Sequence, residues 1–157
     1  MAARLDIHQI TTRLALEDLN TAFTRYLDHG NVSALIDLFT EDALYTHGER
    51  RSEGRAAIEA LFRRRAAGEP RTSRHICSGL HIEIEDARHA RGSSVCLSFA
   101  ADGAPPLPAT PFLVADFKDR YLLGEDGRWR FKARHIERIF VAEHNPGPVG
   151  HEREVST

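Results

Sequence analysis

Leu16, Leu19, Phe23, Tyr26 and Leu27 recur at helical spacing, with Arg13, Glu17, Asp18 and Arg25 off that stripe. The pattern predicts an amphipathic helix running to about Asp28. Thr11 or Thr12 is expected to cap it, residues 1–10 being a short lead-in, and Gly30 to end it. Asn31 then caps a short second helix whose Val32, Leu35, Ile36 and Phe39 face inward. Residues 43–48 read as a brief strand closing in a turn. Ser52 or Glu53 opens a third helix with Ile58, Leu61 and Phe62 as its stripe and Gly68 as its stop. Arg63, Arg64 and Arg65 occupy its last turn, where cations suit the helix dipole and a solvated end is expected.

After Pro70 the period changes from helical to alternating, over runs 72–86, 91–101, 111–123 and 127–141. In the first run Leu80, Ile82 and Ile84 alternate with His81, Glu83 and Glu85, while His75 and Cys77 upstream have the opposite parity. Both sets face a core only if one extra residue is inserted, and Ser78-Gly79 is the natural place for such a bulge. Val95, Leu97 and Phe99 alternate with Cys96 and Ser98 in the second run. Leu113, Ala115, Phe117, Tyr121 and Leu123 share a face in the third; Trp129, Phe131, Ala133 and Ile139 share one in the fourth, together with His135 and Glu137. The proline-rich segment 102–111 cannot pair as a strand interior and is expected on the surface. Helices followed by a strand meander predict an α+β fold, three helices packed on a curved, mostly antiparallel sheet. One domain is expected over residues 1–143, with a flexible tail over 144–157.

Composition narrows the class. The 157 residues are 41% hydrophobic and 28% charged with a formal net charge of −2, so no broad pull toward nucleic acid or a membrane surface is implied. The excess of Arg over Lys reads as composition bias and not as a binding patch. No apolar run is long enough for a span, and the first residues lack a secretory h-region, which makes a cytoplasmic location the expectation. Cys77 and Cys96 lack metal-type spacing and read as reduced thiols. No metal and no cofactor is expected.

The chemistry-bearing residues then stand out. His75, early in a buried strand, is either a satisfied core residue or the working base of a pocket. Asp28 closes the first helix, where the dipole disfavours its charge; it is either solvated or paired with a cation such as imidazolium. The helical wheel places Asp28 off the buried stripe, so a pocket role needs either the last turn to loosen at Asp28 or the pocket to lie beyond the helix end. Tyr26, Tyr45, His47, His135 and Trp129 are candidate substrate-binding residues, with Glu137 undecided between pocket and rim.

The order of elements and several motifs resemble the SnoaL-like branch of the nuclear transport factor 2-like superfamily, which holds scytalone dehydratase and hexachlorocyclohexane dehydrochlorinase. The pieces are Tyr26-Leu-Asp28, the run from Leu38 to Tyr45, Glu53-Gly-Arg-Ala-Ala-Ile58, Arg74-His75 and Asp126-Gly-Arg-Trp-Arg-Phe131, spread over about residues 8–142. The resemblance implies a cone-shaped α+β barrel with a pocket at its open end and a catalytic Asp–His dyad, falling on Asp28 and His75. Phe23, Leu122-Leu-Gly124 and the Val95-Cys96 region depart from the polar residues of those two enzymes, so neither specific substrate carries over.

The resulting expectation is a cofactor-independent lyase or isomerase acting on a small cyclic or aromatic molecule by His–Asp general-base catalysis, in the manner of a dehydratase elimination. The alternative is a non-catalytic binding or assembly module, like the β subunit of ring-hydroxylating dioxygenases. Neither nucleic acid nor membrane is expected as a partner. Ile76 and Val114 fall on the outer sheet face, which predicts a homo-oligomer, a dimer before a trimer.

Overall fold

The computed structural model of the protein describes residues 6–143. Its elements are α1 (Ile7–Asp28), α2 (Val32–Ile36), β1 (Phe39–His47), β2 (Arg50–Glu53), α3 (Arg55–Ala67), β3 (Arg71–Ile84), β4 (His89–Asp102), β5 (Leu113–Leu123) and β6 (Trp129–Val141). The six strands form one sheet in the order β2-β1-β6-β5-β4-β3. All neighbours are antiparallel except β1 with β6. The sheet curves around the three helices without closing, which is the expected cone-shaped α+β architecture. The tail expected over 144–157 lies outside the described residues.

α1 begins five residues before Thr12. Asp6 caps it, its side chain accepting from the Gln9 backbone N–H while the Gln9 side chain accepts from the Asp6 N–H. This reciprocal box satisfies two helix-start donors at once, which neither threonine does. The far end closes as expected at Gly30, with φ +69°. Asn31 N–H bonds to the Tyr26 carbonyl and Gly30 N–H to the Leu27 carbonyl, a pairing that ends the helix sharply after Asp28. The buried stripe of α1 is Thr12, Leu16, Leu19 and Phe23.

Two expectations about the strands need correction, and in β4 the structure decides which face turns inward. Residues 50–53 form a strand paired with β1, so α3 opens at Gly54-Arg55 and not at Ser52 or Glu53. In β4 the inward face is Ala90, Ser94, Cys96 and Ser98, whereas Val95 is 48% exposed. The large apolar set therefore faces out and the small polar set lines the concave side. A tightly curled sheet with a helix across it leaves room there for small side chains only. In β6 the inward positions change from Phe131 to Arg134 and Ile136, leaving His135 and Glu137 outside. Register shifts between Val114/Ala115 and Arg120/Tyr121 in the β5–β6 pairing accompany that change of parity.

The core joins α1, α3 and the sheet through Phe23, Phe39, Tyr45, Phe62 and Phe131, whose rings meet edge-on or tilted at 5.4–6.3 Å. Arg134, 1% exposed, lies among the faces of Phe131, Phe23 and Phe117 at 4.1, 4.3 and 4.7 Å. Its Nε and Nη2 donate to Asp119 at 2.8 Å each, and Tyr121 donates to the same carboxylate at 2.9 Å. Nη2 also donates to Asn20 Oδ1, while Nη1 is buried without a hydrogen-bond partner among the described residues. A charge removed from water is tolerated when most of its hydrogen bonds are met and aromatic faces take the remainder of its surface.

Candidate functional site

The bulge expected at Ser78-Gly79 is present. The β3–β4 register shifts between Ser78 and His81, and Gly79 has φ +67°. Upstream of it Ser73 and His75 point inward, and downstream Ile82 does. The extra residue thus lets a polar pair and an apolar stripe share one face of one strand.

His75 meets Asp28 there. Asp28 Oδ1 lies 2.6 Å from His75 Nδ1, and Oδ2 accepts from the His75 backbone N–H at 2.9 Å. Ser73 donates to Oδ1 at 2.8 Å. The two side chains are 6% and 10% exposed. The helical wheel failed to anticipate this burial because the sharp end of α1 sets Asp28 against β3, beyond the stripe that packs the core. Burial opposes the charge on Asp28 most strongly of any single effect. The bonds from the His75 ring, its backbone and Ser73 together outweigh burial and hold the carboxyl below its usual range. A carboxylate on Nδ1 fixes the ring's orientation and leaves the Nε2 edge for the cavity that His75 lines.

That cavity holds about 70 Å³ between α1, α3 and the inner face of the sheet. Phe23, Phe62, Phe117 and Leu113 give it an apolar floor. Tyr45 and His47 line it, as expected, with Ser98. Burial pushes the Tyr45 phenol up to about 12, so it stays an O–H donor at neutral pH. Burial, and after it Arg138 and Arg50, push His47 down to about 4, so its ring is neutral. A second cavity of about 320 Å³ lies past the end of α1, and Leu27, Phe62, Arg65 and Arg71 line both. A cavity of roughly 150 Å³ binds benzene, about twice the volume here, so a ring bound at His75 extends past those shared side chains or toward the mouth.

Three expected substrate-binding residues stand elsewhere. Tyr26 lines the second cavity and not the one at His75. His135 is on the outer face, its ring hydrogen-bonded to the Thr46 hydroxyl, because parity changes along β6. Trp129 is half-buried against the core at the start of β6 and does not line the cavity. Glu137 is exposed and paired with Lys118. His47 and His75 face the cavity and His135 faces away, so these three histidines do not converge.

The cavity also contains residues that pattern reading passed over. Arg50, Arg65, Arg71 and Arg138 all line it. Arg65 was expected at a solvated helix end, yet it continues the stripe Ile58, Leu61, Phe62 at helical spacing, a signal present in the sequence. Its Nη2 donates to Ser73 Oγ at 3.2 Å, which links it to Asp28.

Comparison with known proteins agrees with this fold. A family model for the SnoaL-like domain matches residues 8–135. No curated protein matches the sequence. Among solved structures, a protein provisionally named a scytalone dehydratase from Novosphingobium aromaticivorans superposes with a TM-score of 0.78 at 20% identity, over 92% of this chain and 97% of that one. LinA superposes with a TM-score of 0.72 at 21% identity, over 91% and 98%. A Catenulispora acidiphila protein in complex with S-DNPA gives 0.72 at 21%, over 83% and 95%. At such identities the likeness establishes the fold.

Proposed function

This chain belongs to the SnoaL-like domain family, and on that premise we propose that it is a cofactor-independent lyase or isomerase acting on a small molecule with an apolar, cyclic body. The observation that carries the reading is the Asp28–His75 hydrogen bond at 2.6 Å beside a cavity that His75 lines. His75 acts as the general base, taking a proton from a carbon of the substrate. Asp28 orients the ring and stabilises the imidazolium that forms. Tyr45, held protonated, donates to the oxygen on which charge develops, and neutral His47 with Ser98 completes the polar lining. Proton return to a neighbouring carbon gives isomerisation; loss of hydroxide or halide from it gives elimination. The name of one structural neighbour, a scytalone dehydratase, accords with chemistry of the second kind.

The test is solvent deuterium exchange and elimination over a panel of cyclic hydroxy-ketones and halogenated rings. His75→Ala and Asp28→Asn are each expected to lower turnover on the order of 10²–10⁴-fold with the melting curve still cooperative. Turnover that survives in both variants moves the chemistry away from the dyad. A structural contact predicts instead a loss of about 1–3 kcal/mol of stability from the partner left unpaired, with no effect on turnover by the folded fraction.

A further inference from the structure

The charge inside the cavity is opposite to that of the molecule. The whole chain carries −2, yet Arg50, Arg65, Arg71 and Arg138 line the cavity and, among the described residues, no Asp or Glu does. Asp28 and Glu69 line the second cavity and not this one, and the Asp28 carboxylate is taken up by the His75 ring, the His75 backbone and Ser73. Low-dielectric walls of phenylalanine and leucine concentrate the field of the four guanidiniums on the space they enclose.

Arg65 and Arg71 are the inner pair. Both line the wall between the two cavities. Burial, and next to it the charge of Arg71, lowers the pKa of Arg65. The guanidinium of Arg71 lies over the Phe112 ring, itself part of the lining, at 5.9 Å; Asp102 is the carboxylate that acts on it. Two neighbouring cations at the edge of a small apolar cavity repel each other, and an anion between them removes the repulsion. Arg138 and Arg50 stand across the cavity beside His47. Arg138 reaches that place because position 48 has no side chain: a Cβ on Gly48 would collide with its guanidinium.

We propose that the substrate is a small organic carboxylate, bound through its carboxylate by Arg65 and Arg71 and through its apolar body by Phe23, Phe62 and Phe117. Planar guanidinium forks match a carboxylate's two oxygens, and the phenylalanine floor matches a hydrocarbon body that inorganic phosphate lacks. The carboxylate is the anchor, and the carbon that gives up its proton lies elsewhere on the body. The assignment rests on the reading of this cavity as a substrate pocket and names the substrate class for it.

Calorimetric titration of the full chain tests it, with benzoate, cinnamate and cyclohexanecarboxylate as probes, each against its primary amide, and with inorganic phosphate. At least one acid is expected to bind about 10–100-fold more tightly than its amide, the range of a charge-assisted hydrogen-bonded contact. Arg65→Met and Arg71→Met should each remove most of that preference, weakening the acid far more than its amide. Arg138→Met, at the exposed rim, should reduce it less. If a methionine variant fails to fold, Arg65→Lys and Arg71→Lys carry the comparison, since they keep the charge, lose the fork and should weaken the preference. The acid-over-amide preference is a binding readout that requires no turnover, so it is decided apart from whether His75 moves a proton. The proposal is overturned if no acid binds at its highest soluble concentration, if acids and amides bind alike, if the arginine variants keep the preference, or if phosphate binds more tightly than every acid.

Discussion

His47 sits in a wall of arginines, and its neutral state has a consequence for stability. Its ring is held at about 4 in the folded chain against an ordinary 6.5. Above pH 6.5 the ring is neutral in both states and contributes no pH dependence. Between pH 6.5 and 4 the unfolded chain takes up the proton first, so stability falls as pH falls. Partial contact with solvent limits the effect to about 1–2 kcal/mol. Urea denaturation at stepped pH should show this limb, and His47→Gln should flatten it. Asp28, its carboxyl held below the usual carboxylate range by its bonds to His75 and Ser73, adds a separate loss at lower pH, as protonation there weakens the contact to His75. Arg134 makes a different residue-scale case. Arg134→Met leaves Asp119, 3% exposed, without its cation, and should cost about 3–5 kcal/mol in a denaturant titration. Adding Asp119→Asn should recover part of that loss, since the uncompensated buried charge is then gone.

β3 is the element on which the site depends. Ser73 and His75 lie on one side of Gly79 and Ile82 on the other, and all three turn inward because the strand carries one residue more than its partner. Gly79 has φ +67° and nothing within 4 Å of where a Cβ would stand. Gly79→Ala therefore meets no clash, and its cost is the backbone's alone, roughly 1–2 kcal/mol. Deleting Gly79 is a harsher change, since removing the extra residue reverses the parity of everything on one side of it. Thermal melting should show a modest shift for the alanine variant and loss of a cooperative transition for the deletion. A modest shift for both would mean that the strand recovers its two faces without the bulge.

At the scale of the molecule, the outer sheet face has an apolar row of its own. Ile76 pairs with Leu97, Leu97 with Val114 and Val114 with Phe140, so four adjacent strands present these side chains on one line. Ile76 is 56% and Phe140 68% exposed, with Val95 and Ile139 also open to solvent. Scattered apolar residues are ordinary on a surface, but a continuous row across four strands is the pattern of a face that is covered. A homo-oligomer that buries this row, a dimer before a trimer, is the expected state. Light scattering at micromolar concentration should give a mass above that of the 17.6 kDa chain, and Ile76→Asp with Phe140→Asp should return it to monomer. A monomeric mass for the unaltered protein would leave the row without that explanation. No helix among the described residues is long and apolar enough to cross a membrane.

Local chemistry determined a large part of this protein from the sequence alone. The helical stripe Leu16-Leu19-Phe23, the glycine that ends α1, the asparagine that starts α2 and the bulge at Gly79 each follow from spacing or from backbone freedom, which neighbours in the chain settle between them. His75 and Asp28 were legible as candidates because their residue types sit at a strand start and a helix end, and because the order of motifs resembles a known family. Where alternation fails along a strand, only the sheet decides. β4 turns its small residues inward and β6 changes parity between Phe131 and Arg134, through curvature and registers that involve several strands at once. His135 was misread for that reason. The cluster of arginines was out of reach for a related one: Arg50, Arg65, Arg71 and Arg138 come from β2, α3, β3 and β6, and nothing in their separate neighbourhoods says that they meet. Periodicity reports which side of an element is buried. Only the packing of elements against one another determines which side chains share a cavity, and so what charge that cavity presents.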